Sequence, residues 1–124
     1  MTDFRNDIFL DLIQVHDSVF EDLVAPVLLA GEQILFAYHT MQNGVLFTDK
    51  RAFFIGTVGL IEKRREITAV SYRRMLAFSL VTGQKGAKDS AVEIAFGGLG
   101  KVRLEFFERD SVPALCQLLS QKTL

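Results

Sequence analysis

Two runs of cations stand out among the side chains that could do chemistry. They are Lys63-Arg64-Arg65 and, about ten residues on, Arg73-Arg74, with Lys50 and Arg51 earlier in the chain. Clustered ammonium and guanidinium groups attract anionic surfaces, and each basic residue near a charged bilayer contributes about 1 kcal/mol. The competing account is a solvated strand edge, where Lys and Arg discourage unwanted pairing. Nucleic acid fits poorly, because the net charge is −1 and few aromatic residues interleave the cations.

Metal or nucleophilic chemistry is harder to assemble. His16 and His39 belong to no H-x-x-x-H or comparable ligand spacing. Cys116 is the one cysteine, so neither an internal disulfide nor a cysteine-based zinc site can form. It falls on an apolar helix face, where a packed thiol is expected. The chain has no G-x-S-x-G elbow and no phosphate-binding glycine loop, since Gly97-Gly98-Leu99-Gly100 joins two alternating strands and reads as a hairpin turn. Glu93 and Glu105 could in principle work as acid and base. They share the polar face of that hairpin with Arg103, which favours cross-strand ion pairing. The expectation is a binding module with no catalytic residue, cofactor or metal.

The elements that must carry these residues follow from periodicity. Phe4, Ile8, Leu12 and Val15 recur at helical spacing with Phe9 and Ile13 beside them, which predicts an N-terminal helix. Ser18-Val19-Phe20-Glu21 has the spacing of a capping box. It predicts a second helix running to Gly31, kinked or split at Pro26. From Gln33 the period becomes two. Gln42-Asn43-Gly44 reads as a tight hairpin turn, and Thr48 to Arg51 as another. Gly56 to Gly59 breaks a run, and two further strands cover Lys63 to Val70 and Met75 to Val81. Gly83 to Ser90 reads as a loop. Val92, Ile94 and Phe96, then Val102, Leu104 and Phe106, alternate across the clearest hairpin. Asp110 or Ser111 caps a final helix with Pro113 in its first turn and Val112, Leu115 and Leu119 on one face.

The length of 124 residues allows one domain with one core, filled largely by the eleven phenylalanines. The N-terminal residues are acidic where a secretory signal would be basic, and no apolar stretch spans a bilayer, so the expectation is a cytoplasmic protein. Charge is uneven: residues 1–32 carry −6, residues 33–84 carry +4 and the remainder +1. Acidic and basic segments could complement each other within one fold, or between neighbouring subunits.

In this order the words Gly31-Glu32-Gln33, Val45-Leu46-Phe47-Thr48-Asp49-Lys50-Arg51, Val70-Ser71-Tyr72 and Phe78-Ser79-Leu80-Val81-Thr82-Gly83 resemble the bacterial pleckstrin-homology-like domains. The Val92-Glu93-Ile94 strand and the final helix follow in the order of that family. The resemblance spans roughly residues 20–121. It implies a mainly β fold with α: a partly open seven-stranded antiparallel barrel capped by a C-terminal helix. Residues 1–32 would then be an N-terminal helical segment packed on or between barrels, and residues 33–124 the barrel. Some members of the family form ring-shaped homo-oligomers. The chain departs from the family's pattern at Ser71, where proline is usual, and in the stretch from Gln84 to Ser90. Eukaryotic relatives of the fold hold phosphoinositides with cations beside the first hairpin loop, but Thr40 to Gly44 contains no Lys or Arg.

Two functions are in view. The first is a self-assembling scaffold or protein-interaction module, a homo-oligomer for which the resemblance suggests a ring, with an unknown protein partner. The second is a peripheral binder of anionic lipid or a small ligand. The candidate interaction surface comprises Lys63, Arg64, Arg65, Arg73 and Arg74, with the apolar surplus of Ile8, Phe9 and Leu12, to which Ile13 and Phe20 add.

Overall fold

Alternating apolar runs build most of the chain. The computed structural model describes residues 1–4, 8–16, 18–41, 43–82, 90–108 and 110–123, with Ile8 and Ser18 described by backbone alone. Its strands are β1 (Ile8–Gln14), β2 (Ile34–Thr40), β3 (Asn43–Thr48), β4 (Arg51–Val58), β5 (Arg64–Ser71), β6 (Met75–Val81), β7 (Ser90–Phe96) and β8 (Gly100–Phe106). Helix α1 (Ser18–Val24) follows β1, a single 3-10 turn (Tyr72–Arg74) joins β5 to β6, and α2 (Val112–Lys122) ends the fold. All the strands form one curled sheet in the order β5-β4-β3-β2-β1-β8-β7-β6. The result is a partly open barrel with a C-terminal helix, carrying eight strands among the described residues rather than about seven.

The additional strand comes from the segment whose spacing predicts a helix. β1 pairs parallel with β8 through Ile8, Phe9 and Leu12, then antiparallel with β2 through Ile13 and Gln14. It thereby joins two half-sheets that would otherwise expose an edge each. Between Phe9 and Leu12 the register shifts, and Asp11 takes a φ of 52°. This bulge resets the alternation, so the inward residues Phe9 and Leu12 lie three apart instead of two. Three-residue spacing is the mark of a helix face, which is why the periodicity misleads here. The second helix is also shorter than expected. It stops at Val24, and Pro26 lies in the turns that follow. The capping hydroxyl expected of Ser18 lies outside the described residues, as do residues 83–89 of the loop expected from Gly83 to Ser90, while Ser90 itself opens β7.

The core has two compartments. Inside the barrel, Phe4, Phe9, Phe54 and Phe96 pack against one another, and Tyr38 meets Phe106 edge-on at 5.0 Å. On the outer face, Phe20 and Val24 of α1 cover Ala37, Leu46, Phe53 and Ile55. β3 and β4 are therefore buried on both faces, which accounts for the unbroken apolar runs Val45-Leu46-Phe47 and Ala52 to Ile55. The seat for Phe20 is Gly44, where a β-carbon would come 2.5 Å from the ring tip. Asn43 and Gly44 thus belong to β3, paired with Thr40 and His39, and the hairpin turns at Met41 with a φ of 45°. The Asn-Gly word serves packing rather than the turn.

Helix α2 buries Val112, Leu115, Leu118 and Leu119 in the barrel. Ser111 precedes it, but its hydroxyl is 2.8 Å from the Tyr38 phenol instead of capping the helix amides. Burial pushes the Tyr38 phenol up to about 12. At the other end of the chain, the Thr2 amide donates to Thr68 Oγ1, while the Phe4 carbonyl accepts from the Lys101 amide at Gly100's side. Residues 1–4 so tie β5 to β8 across the barrel.

Candidate functional site

The words shared with the family converge on one buried hub. Glu32, its side chain fully buried, accepts from Arg51 Nε at 3.1 Å and Nη2 at 2.9 Å, from Thr48 Oγ1 at 2.7 Å and from the Leu29 amide at 3.0 Å. Burial alone would raise this carboxyl. The hydrogen bonds from Arg51, Thr48 and Leu29, with the Arg51 charge, outweigh it and hold the group down at about 2. Arg51 also donates to the Val27 carbonyl and lies 4.8 Å over the Phe53 ring. Thr48 Oγ1 accepts the Lys50 and Arg51 amides, and Tyr72 donates to the Thr48 carbonyl. Asp49 and Gln33 exchange hydrogen bonds, and Lys122 of α2 reaches the Asp49 carbonyl at 2.6 Å. The buried polar groups here, the Glu32 carboxylate and the Thr48 hydroxyl, are met by partners within the chain. The hub fastens α2, the β3–β4 turn and the segment after α1 together, and its chemistry is structural.

That network bears on the charge asymmetry. Glu32 belongs to the acidic segment and Arg51 to the basic one, and they meet within one chain. On β7 and β8, Glu93 faces Arg103 across the strands at 3.6 Å and meets Lys101 at 3.4 Å, the cross-strand pairing that the alternation predicts. Arg103 Nε also lies 2.9 Å from Glu105, two residues on along the same strand.

The candidate residues do not form one surface. Phe9 and Leu12 are buried in the barrel, and Phe20 is buried between α1 and the sheet, so none of the three can meet a partner. Of the apolar surplus, Ile13 is exposed, and the Ile8 side chain lies outside the described residues. The cations split as well. Arg64 and Arg65 open β5, while Arg73 and Arg74 follow its far end, so the eight-residue strand separates them by roughly 23 Å. All of them, with Lys63, are exposed. Arg65 lines an open cleft of about 460 Å³ with Asp22, Leu23, His39 and Met41. Among the described residues no group of three His, Cys, Asp or Glu side chains could hold a metal ion. Cys116 is half-buried, which pushes its thiol up.

Two surfaces escape the sequence reading. One is β6, an edge of the sheet with no neighbour on its outer side among the described residues. Its sequence Met75-Leu76-Ala77-Phe78-Ser79-Leu80-Val81 carries no charge, and Leu76, Leu80 and Val81 are exposed. The second is the end of the barrel where Leu60, Ile61 and Met41 project into solvent. The available signal was an uncharged strand in one case and apolar residues inside turns in the other.

Comparison with known proteins agrees with this architecture. Residues 3–123 match the family model of the bacterial PH domain, and the chain belongs to that family. The uncharacterized protein YjqA of Bacillus subtilis (strain 168) is 26% identical over 105 residues, covering 83% of this chain and 84% of that protein. Among solved structures, a DUF1696-family protein with a pleckstrin-homology domain from Shewanella loihica PV-4 superimposes with a TM-score of 0.78. It is 19% identical and covers 93% of this chain and 99% of its own. A pleckstrin-homology domain from Shewanella amazonensis SB2B gives 0.64 at 20% identity, covering 89% and 90%. At such identities the likeness is one of fold. No helix among the described residues is long and apolar enough to cross a membrane.

Proposed function

We propose that this chain is a non-catalytic interaction module that assembles with copies of itself through the free edges of its sheet. The observation that carries the reading is β6. An unpaired edge strand offers a row of amides and carbonyls to any neighbouring strand, and proteins blunt such edges with charge, proline or a strong twist. β6 has no charge and no proline, and its Leu76 is 72% exposed. A bulge at Met75–Ala77 protects only its first residues.

β5 is the opposite edge of the same sheet, and past Glu66 it is also uncharged from Ile67 to Ser71. Pairing β6 of one copy with β5 of the next continues the sheet from molecule to molecule. Such a contact is head-to-tail, and it closes into a ring when the rotation per copy allows. The ring would present every copy's loops on the same side. Main-chain hydrogen bonds supply affinity in strand addition, and exposed leucines add apolar burial. Light scattering tests the proposal, with a solution mass that is a multiple of 13.9 kDa as the expected result. A monomer at tens of micromolar is the contrary result.

A further inference from the structure

Two apolar tips leave the barrel at one end. The β4–β5 connection places Leu60 and Ile61 wholly in solvent, and Met41 at the β2–β3 turn is 95% exposed. Pairing brings these turns side by side: Gly44 lies opposite Ile55 across β3 and β4, and Val58 opposite Arg64 across β4 and β5. Val58 and Val19, both exposed, widen the patch.

The tips are held by their turns. Gly59 has a φ of 100°, and the Glu62 carbonyl presses so close that a β-carbon would not fit. Met41 sits in the left-handed region that side-chain-bearing residues seldom adopt. Solvated turns at such places are ordinarily polar or glycine. Here they aim large apolar side chains outward.

Cations stand directly behind the tips. The side chains of Lys63 and Arg65 are exposed, and Arg65 joins the sheet through its backbone, opposite Thr57 on β4. Arg64 lies 3.6 Å from Glu62, both strongly exposed, so each offsets the other. Asp22 on α1 shares the cleft of Arg65 and tempers its charge.

We propose that this end docks on an anionic lipid bilayer, with Leu60, Ile61 and Met41 entering the boundary of headgroups and acyl chains. Lys63 and Arg65 then lie at the level of the lipid phosphates and carboxylates. Projecting apolar points suit a deformable acyl layer, and cations one step behind them match the order of layers in a bilayer. The β2–β3 turn has no cation with which to grip one headgroup, so recognition is by charge rather than by headgroup identity. The inference goes beyond self-assembly and holds for a monomer as well as a ring.

Flotation of the full chain with vesicles of equal parts phosphatidylcholine and phosphatidylserine tests this. The wild type is expected to float at low salt and to lose association as salt rises. Leu60→Ser/Ile61→Ser should weaken association at least about tenfold, with thermal unfolding unchanged because both side chains are already in water. Lys63→Glu/Arg65→Glu should also weaken it, whereas Arg73→Glu/Arg74→Glu, beyond the far end of β5, should not. A wild type that stays with the soluble fraction overturns the proposal. So does undiminished flotation of the Leu60/Ile61 variant, or equal loss in the Arg73/Arg74 variant.

Discussion

The guanidinium of Arg51 closes over the carboxylate of Glu32 with two hydrogen bonds, at 3.1 Å from Nε and 2.9 Å from Nη2. Sixteen residues after Glu32, Thr48 completes the cage with its hydroxyl. Nearly all of the charge in the most recognisable words of this sequence is spent here, on joining the segment after α1 to the β3–β4 turn. Binding has to be sought elsewhere on the surface.

Removing either partner should be costly. Arg51→Ala leaves a carboxylate buried without its cation, and an unpaired buried charge typically destabilises by about 3–5 kcal/mol. Arg51 is a quarter exposed, so a loss of about 2–3 kcal/mol is expected in urea denaturation. A midpoint equal to that of the wild type would contradict the hub.

The same carboxyl makes stability depend on acid. Its pKa falls from 4.5 to about 2 on folding, so the stabilisation is fully present above pH 4.5. It is lost as pH falls through about 2, where the folded carboxyl itself takes a proton. The amount at stake is on the order of 3 kcal/mol. Denaturation measured across that window should show Glu32→Gln less stable at neutral pH and flatter in acid than the wild type.

Gly44 is expected to tolerate no side chain while Phe20 is present. Gly44→Ala should destabilise by about 1–3 kcal/mol through overpacking. In a Phe20→Ala background the same change should cost much less, and thermal melts of the four proteins measure that coupling. Equal costs in both backgrounds would place the strain elsewhere.

Much of this fold is legible in the chain. The hairpin of Val92 to Phe106 and the helix after Ser111 follow from alternation and from Pro113, and the buried residues are those the pattern selects. β1 was not legible because its bulge at Asp11 turns a strand's two-residue spacing into a helix's three. Asn43-Gly44 misleads because a glycine can be demanded by a neighbour's ring as well as by a turn. Phe9 and Leu12 look like surplus apolar surface only while they are read as helical. The cation runs look like one patch until β5 separates them. Leu60 and Ile61 are ordinary residues in the sequence, and their exposure is set by the turn that Gly59 makes possible.

The most direct test of self-assembly through the sheet edge is the solution mass of Leu76→Lys/Leu80→Lys beside that of the wild type, by light scattering over a salt series. Both side chains are exposed, so the variant should melt with the wild type, while two ammonium groups on β6 block pairing with another strand. A wild-type oligomer that persists in high salt, reduced in the variant to a monomer of 13.9 kDa, is the result this account predicts. A wild type that is already monomeric, or a variant that keeps the full assembly mass, would contradict it.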